Sequence, residues 1–168
     1  MTTSAFARAF VVLGFSALLY GCSGTQWSQV QTGPAYQAPK QVKVAIMVQA
    51  KDDESLKEAV QSLKDSLTKE LTKKGITATF VAAPDGTPST ELTVAEWDEG
   101  SRALRWLGFG GEGHILIIVK SPSADGQPGF SGNARGYIKS GWYGGSSLIS
   151  AEEAGWSIGN AIATGKAE

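Results

Sequence analysis

Apolar residues change their spacing several times along the chain, and each change marks an element. Val42, Val44, Ile46 and Val48 recur at every second position, the period of a half-buried strand over 41–48. From Leu56 the period lengthens. Leu56, Val60, Leu63, Leu67 and Leu71 fall at steps of four, three, four and four, one apolar stripe along a helix. Asp52, Asp53 and Glu54 open that helix and Lys69, Lys73 and Lys74 close it, as the macrodipole favours. Asp65 with Lys69, and Glu70 with Lys74, are acid-first pairs one turn apart. Gly75 supplies the stop.

Beyond Gly75 the period returns to two. Ile76, Ala78, Phe80 and Ala82 recur at every second position, with Thr77 and Thr79 between the first three, and Pro84-Asp85-Gly86 is a turn. Glu91 to Asp98 alternates again, with Leu92, Val94 and Glu96 on one side and Thr93, Ala95 and Trp97 on the other. Ser101 to Leu107 is a short helix-compatible stretch. Ile115 to Val119 is continuously aliphatic, which predicts a central strand buried on both faces. A turn at Asp125-Gly126 leads to Phe130–Lys139, a weaker strand that would pair with the central one. The chain then returns to helix. Ser150 followed by Glu153 is a capping box. Ala151, Gly155, Gly159 and Ala163 form a ridge almost without side chain, suited to close packing, with Trp156, Ile158 and Ile162 beside it.

The first residues fit none of these patterns. Arg8 precedes an apolar run from Ala9 to Leu19, too short for a permanent span of about 20 residues but the length of a secretory signal core. The run ends in Leu19-Tyr20-Gly21-Cys22, which resembles the lipobox of bacterial lipoproteins, with Tyr20 where a small residue is usual. That resemblance implies cleavage after residue 21 and lipidation of Cys22, the only Cys in the chain. Two or three acyl chains hold a protein stably on a bilayer where one does so only marginally. Ser23 rather than Asp after the Cys implies, by the sorting rule of enteric lipoproteins, the outer membrane facing the periplasm. Residues 22–41 then read as the lipidated Cys and a polar tether, Trp27 and Tyr36 being its exceptions, with a reach of about 20–25 Å.

Composition narrows the chemistry. The chain has 168 residues, 18% of them charged, and a formal net charge of -1, which suits one ordinary domain and gives no electrostatic footprint for nucleic acid. One Cys and one His leave no disulfide framework and no metal-ligand set, so no cofactor is expected. Gly108-Phe109-Gly110-Gly111-Glu112-Gly113 satisfies the letters of a dinucleotide fingerprint. Such a fingerprint must follow a strand and open a helix, and here the order is reversed. Gly155-Trp156-Ser157-Ile158-Gly159 has the letters of a nucleophile elbow but lies inside a helix, with His114 upstream of it. No catalytic residue is assigned.

What remains are candidates for binding. Arg102 and Arg105 stand three apart and could hold an anion together, or pair with Glu96 or Glu99. Glu96 and Asp98 share a strand face, a spacing compatible with carboxylate work on a glycan, although an exposed strand end is the plainer reading. Trp142 and Tyr143, among Gly141, Gly144 and Gly145, make an aromatic tip suited to sugars or partner proteins, or to burial against the last helix. Gly100, Gly108, Gly110, Gly111 and Gly113 read as structural.

The run EWDEGSRALRWLGFGGEGHILIIV, residues 96–119, resembles the bacterial lipoproteins gathered as a domain of unknown function, family forty-four-ten. Gly100, Arg105, Gly108, Gly110 and the strand from Ile115 carry the likeness, which would extend over about Val42 to Ala163; Gly111-Glu112-Gly113 departs from the family's simple alternation. The resemblance implies a small envelope protein and transfers no activity.

Taken together, the sequence predicts a signal peptide over 1–21, a tether over 22–41 and one globular α/β domain over 42–165, of the two-layer α+β kind. A small mixed sheet should carry the long amphipathic helix and the C-terminal helix. The expected function is that of a non-enzymatic, lipid-anchored envelope module, membrane-bound through its N-terminal lipid, for a protein or peptidoglycan partner. The alternative is a glycan-binding or glycan-processing domain using Glu96, Asp98, Arg102 and the Trp142 loop.

Overall fold

Each alternating segment becomes a strand, and the strands join in one sheet. The computed structural model describes residues 23–51, 53–84, 87–107, 109–124, 129–139 and 146–168. The signal segment, Cys22, Gly108, the turns at 85–86 and 125–126, and the loop with Trp142 and Tyr143 lie outside the described residues.

Among the described residues six strands and three helices follow one another: β1 (Ser23–Thr32), β2 (Gln41–Val48), α1 (Glu54–Lys73), β3 (Thr77–Val81), β4 (Thr90–Asp98), α2 (Arg102–Trp106), β5 (Gly113–Ser121), β6 (Phe130–Ile138) and α3 (Leu148–Thr164). The sheet order is β1-β6-β5-β4-β2-β3. β2 runs parallel to both β3 and β4, and the remaining pairs are antiparallel, so the sheet is mixed as expected.

Both long helices lie on one face. α1 presents Leu56, Leu63, Leu67 and Leu71 to a core built with Val42, Val44, Leu92, Val94, Ile115, Ile117, Val119 and Phe130. Asp53 caps it, its carboxylate accepting from the Leu56 N–H at 2.8 Å. Glu70 meets Lys73 at 3.3 Å and Lys74 at 3.7 Å, whereas Asp65 instead accepts from Gln61. The small-residue ridge of α3 does what its spacing suggests. A Cβ at Gly155 would stand 2.0 Å from Ser66 Oγ and 2.8 Å from the Leu63 carbonyl, so α3 touches the backbone of α1. Among the described residues no helix is long and apolar enough to cross a membrane.

Four expectations change. The segment from Ser23 onward is not a free tether: through Thr32 it is strand β1, antiparallel to β6. Beyond it the Tyr36 hydroxyl donates to the Ile162 carbonyl, and the Gln37 N–H donates to Ser123 Oγ at 3.0 Å. The central strand β5 is buried on one side only. Ile115, Ile117 and Val119 are fully covered, while Leu116 and Ile118 are half-buried on the face without helices. An irregularity between Val94 and Glu96 in β4 shifts the alternation, so Trp97 joins Leu92 and Val94 on the helix side. Its indole N–H donates to Ser55 Oγ at 2.9 Å. The capping box at Ser150 does not form. α3 starts earlier, Ser150 donates back to the Ser147 carbonyl, and Glu153 accepts from Ser23 Oγ at 3.1 Å.

Candidate binding surfaces

The glycine-rich connection from β4 to β5 is laced from the inside. Ser101 caps the five-residue helix α2, its Oγ accepting from the Leu104 N–H. Gly100 has φ +64° and Gly111 φ +77°, left-handed conformations that a side chain resists. Space demands glycine there as well. A Cβ would come within 2.3 Å of the Glu112 carbonyl at Gly100, and within 2.4 Å of the Ser101 carbonyl at Gly111. The Ser101 N–H closes the loop onto the Gly111 carbonyl at 3.2 Å.

Arg105 is the centre of this loop. Only 1% of it is exposed, and Nη1 donates to the carbonyls of Glu99 and Gly111, both at 2.8 Å. Burial, reinforced by the charge of Arg102, pulls the guanidinium below its ordinary pKa, and the carboxylates of Glu99 and Asp98 act against that shift. The two arginines do not come together as an anion site: Arg102 is exposed, while Arg105 has the structural role, donating to the backbone carbonyls of Glu99 and Gly111 and not to a carboxylate of Glu96 or Glu99.

With Arg105 turned inward, the apolar residues around it face out. Leu104 is 44% exposed, Trp106 61%, Leu107 53% and Phe109 79%. None of these four is among the binding candidates that spacing singles out. Their density in the run LRWLGF is the signal in the sequence, since a short exposed loop seldom carries four large apolar side chains.

The second surface is the bare side of the sheet. Register places Asp98, His114 and Tyr137 in one row, Glu96, Leu116 and Arg135 in the next, Thr93, Ile118 and Asn133 in a third, and Glu91, Lys120 and Ser131 in a fourth. The row partners alternate in sign and polarity around half-buried Leu116 and Ile118. Glu96 and Asp98 do share this face. Glu96 Oε2 is 3.4 Å from His114 Nε2, and Asp98 accepts from the Gly100 N–H at 2.7 Å. The two carboxylates stand beside each other on a flat strand, not across a cleft. Ser157, the serine of the elbow-like motif, accepts from the Trp27 indole N–H at 2.7 Å and donates to the Glu168 carbonyl. It is a packing residue.

The model of a domain of unknown function (DUF4410) matches residues 25–129. The chain belongs to this family. The match begins inside β1, upstream of the expected Val42, and ends at residue 129, before β6 and α3, short of the expected Ala163. No curated protein matches the chain. Among solved structures it is similar to the PelC dodecamer from Paraburkholderia phytofirmans, at 13% identity and a TM-score of 0.51, over 84% of this chain and 97% of that one. A point variant of that dodecamer, in a second crystal form, is similar at 15% identity and a TM-score of 0.50, over 80% and 92%. At such identity the likeness is one of fold.

Proposed function

We propose that this DUF4410 chain is a non-enzymatic envelope module, anchored through lipid on Cys22 to the outer membrane and offering the bare sheet face to a protein or peptidoglycan partner. That face carries the reading. A six-stranded sheet with both long helices on one side presents, among the described residues, a broad plane on the other, with Glu91, Lys120, Glu96 and Arg135 around Leu116 and Ile118. An interface of this kind, apolar at the centre and charged at the rim, suits a macromolecule better than a small substrate. A photo-crosslinker at Asn133 should capture a partner in native envelopes, and the same label at Lys69, exposed on α1, should not. Equal capture from both positions, or turnover of a glycan or ester without capture, overturns the reading.

The Glu96–His114 pair favours a second reading, a glycan held by Glu96, Asp98, Arg102 and the Trp142 loop. Glycan binding abolished by Glu96→Gln and Trp142→Ala supports it. A profile unaltered by both substitutions rejects it.

A further inference from the structure

One end of the sheet collects features that sequence distance separates. Ser23, the residue after Cys22, lies opposite Ile138, and Ile138 lies opposite Gly113. Neighbouring strands are about 4.8 Å apart, so the chain enters the domain about 10 Å from the point where the 99–113 loop joins β5. The other foot of that loop is on the same rim, because Asp98 lies opposite His114. The exposed tip of Leu104, Trp106, Leu107 and Phe109 therefore stands on the end of the molecule where the described chain begins, at Ser23.

We propose that this tip is a membrane-docking foot: Leu104, Trp106, Leu107 and Phe109 enter the interface of the bilayer that holds the N-terminus. The inference rests on the lipid-anchor reading of Cys22. It adds that the domain does not hang free below its lipid but stands against the bilayer in one orientation. Four observations carry it.

Exposed large apolar residues clustered on one loop mark an interaction site. Trp and Phe are at home at the level of lipid headgroups. The loop is ordered beforehand by Arg105 and by the glycine contacts, so docking does not have to freeze it. And β1 replaces a tether by a strand, so the anchor and the tip are fixed at one rim. A contact that is intramolecular once the lipid is in place need be only weak on its own. A second copy of the chain could also cover apolar side chains, but nothing would then place them where the chain leaves for the membrane. Charge contributes little, since Arg102 and Lys139 share the rim with Asp98, Glu99 and Glu112. Docking should accordingly persist in vesicles without anionic lipid and at high salt.

The lipoprotein purified from its own membranes would be reconstituted into phosphatidylethanolamine and phosphatidylglycerol vesicles with brominated acyl chains. Flotation reads the anchor. Quenching of tryptophan fluorescence reads the tip, with Trp106→Phe as the comparison; this exchange at an exposed site should leave the circular dichroism spectrum unchanged. Expected are flotation, and a quenched component that disappears in Trp106→Phe. Flotation with quenching identical in wild type and Trp106→Phe overturns the docking while leaving the anchor in place. Quenching of Trp106 without flotation supports the docking and removes the anchor. Loss of both overturns both. Trp106 shielded from bromolipid and from aqueous iodide alike would assign the tip to a second copy, and also overturns the proposal.

Discussion

The Trp27 indole N–H donates to Ser157 Oγ at 2.7 Å, tying the first strand to the last helix across 130 residues of sequence. The same ring stands edge-on to Phe130, with centroids 5.3 Å apart. Thr32 Oγ1 adds a bond to the Gly165 carbonyl at 2.8 Å, and Ser23 Oγ donates to Glu153, so β1 is fastened to α3 and its C-cap at three levels. Trp27→Ala should cost about 2–4 kcal/mol of stability, since a large ring and a hydrogen bond are both lost. Trp27→Phe should cost about 1 kcal/mol. Urea denaturation of the three proteins measures both. A Trp27→Ala variant as stable as wild type would mean that 23–32 does not belong to the fold in solution.

β1 was illegible in the sequence for a physical reason. It is an edge strand in which only Trp27 packs on the core, so Ser-Gly-Thr-Gln-Trp-Ser-Gln-Val-Gln-Thr shows no apolar alternation to read. Where a face is buried, the pattern located the element: the α1 stripe and β2 stand where their periods place them, and β5 forms around its aliphatic run, though with one face covered and not two. The irregularity in β4 could not be foreseen, because an inserted residue leaves composition untouched and moves Trp97 to the opposite face. Arg105 misled for a related reason. Its three-residue spacing from Arg102 is real, but the turns at Gly100 and Gly111 bring carbonyls to it that no spacing rule contains. The start of α3 was misplaced because the serines at 146, 147 and 150 all suit a helix entrance.

The contact of α3 with α1 leaves no room for a methyl group at Gly155. Gly155→Ala drives a Cβ into Ser66 Oγ and toward the Leu63 carbonyl. The helices must separate, and overpacking of this kind costs about 1–3 kcal/mol. Ser66→Gly in the same chain should restore part of the loss and not all of it, because the Leu63 carbonyl remains. Thermal melts of the single and double variants decide this; additive losses would contradict the contact.

Arg105→Leu removes the donor from two carbonyls inside the 99–113 loop. The expected cost is about 1.5–3 kcal/mol, concentrated in the loop. Arg105→Lys should rescue little, because an ammonium cannot reproduce the guanidinium fork. Amide exchange should accelerate for residues 99–113 while β2 and α1 keep their protection. Uniform acceleration across the sheet would show that Arg105 supports the whole core instead.

Asp53 gives α1 an acid-sensitive start. Its bonds from the Leu56 N–H and from Ser55 hold the carboxyl below the ordinary aspartate pKa. A carboxyl depressed by folding contributes stability above its unfolded pKa, and the contribution fades as pH falls through the lowered folded value. The N-terminal turn of α1 should therefore fray first on acidification below the ordinary aspartate range. Asp53→Asn keeps a cap without the titration and should flatten that part of the acid curve, followed by the exchange of the Leu56 amide. An unchanged acid profile in Asp53→Asn would contradict the assignment.

The proposed placement of this domain against a bilayer depends first on whether lipid is bonded to Cys22. Intact mass spectrometry of the protein purified from its native cells tests that most directly. The expected species begins at Cys22 and carries a diacylglyceryl group on sulfur, with or without a further acyl chain on the new amine. A chain that retains Met1, or a Cys22 with a free thiol, would contradict it.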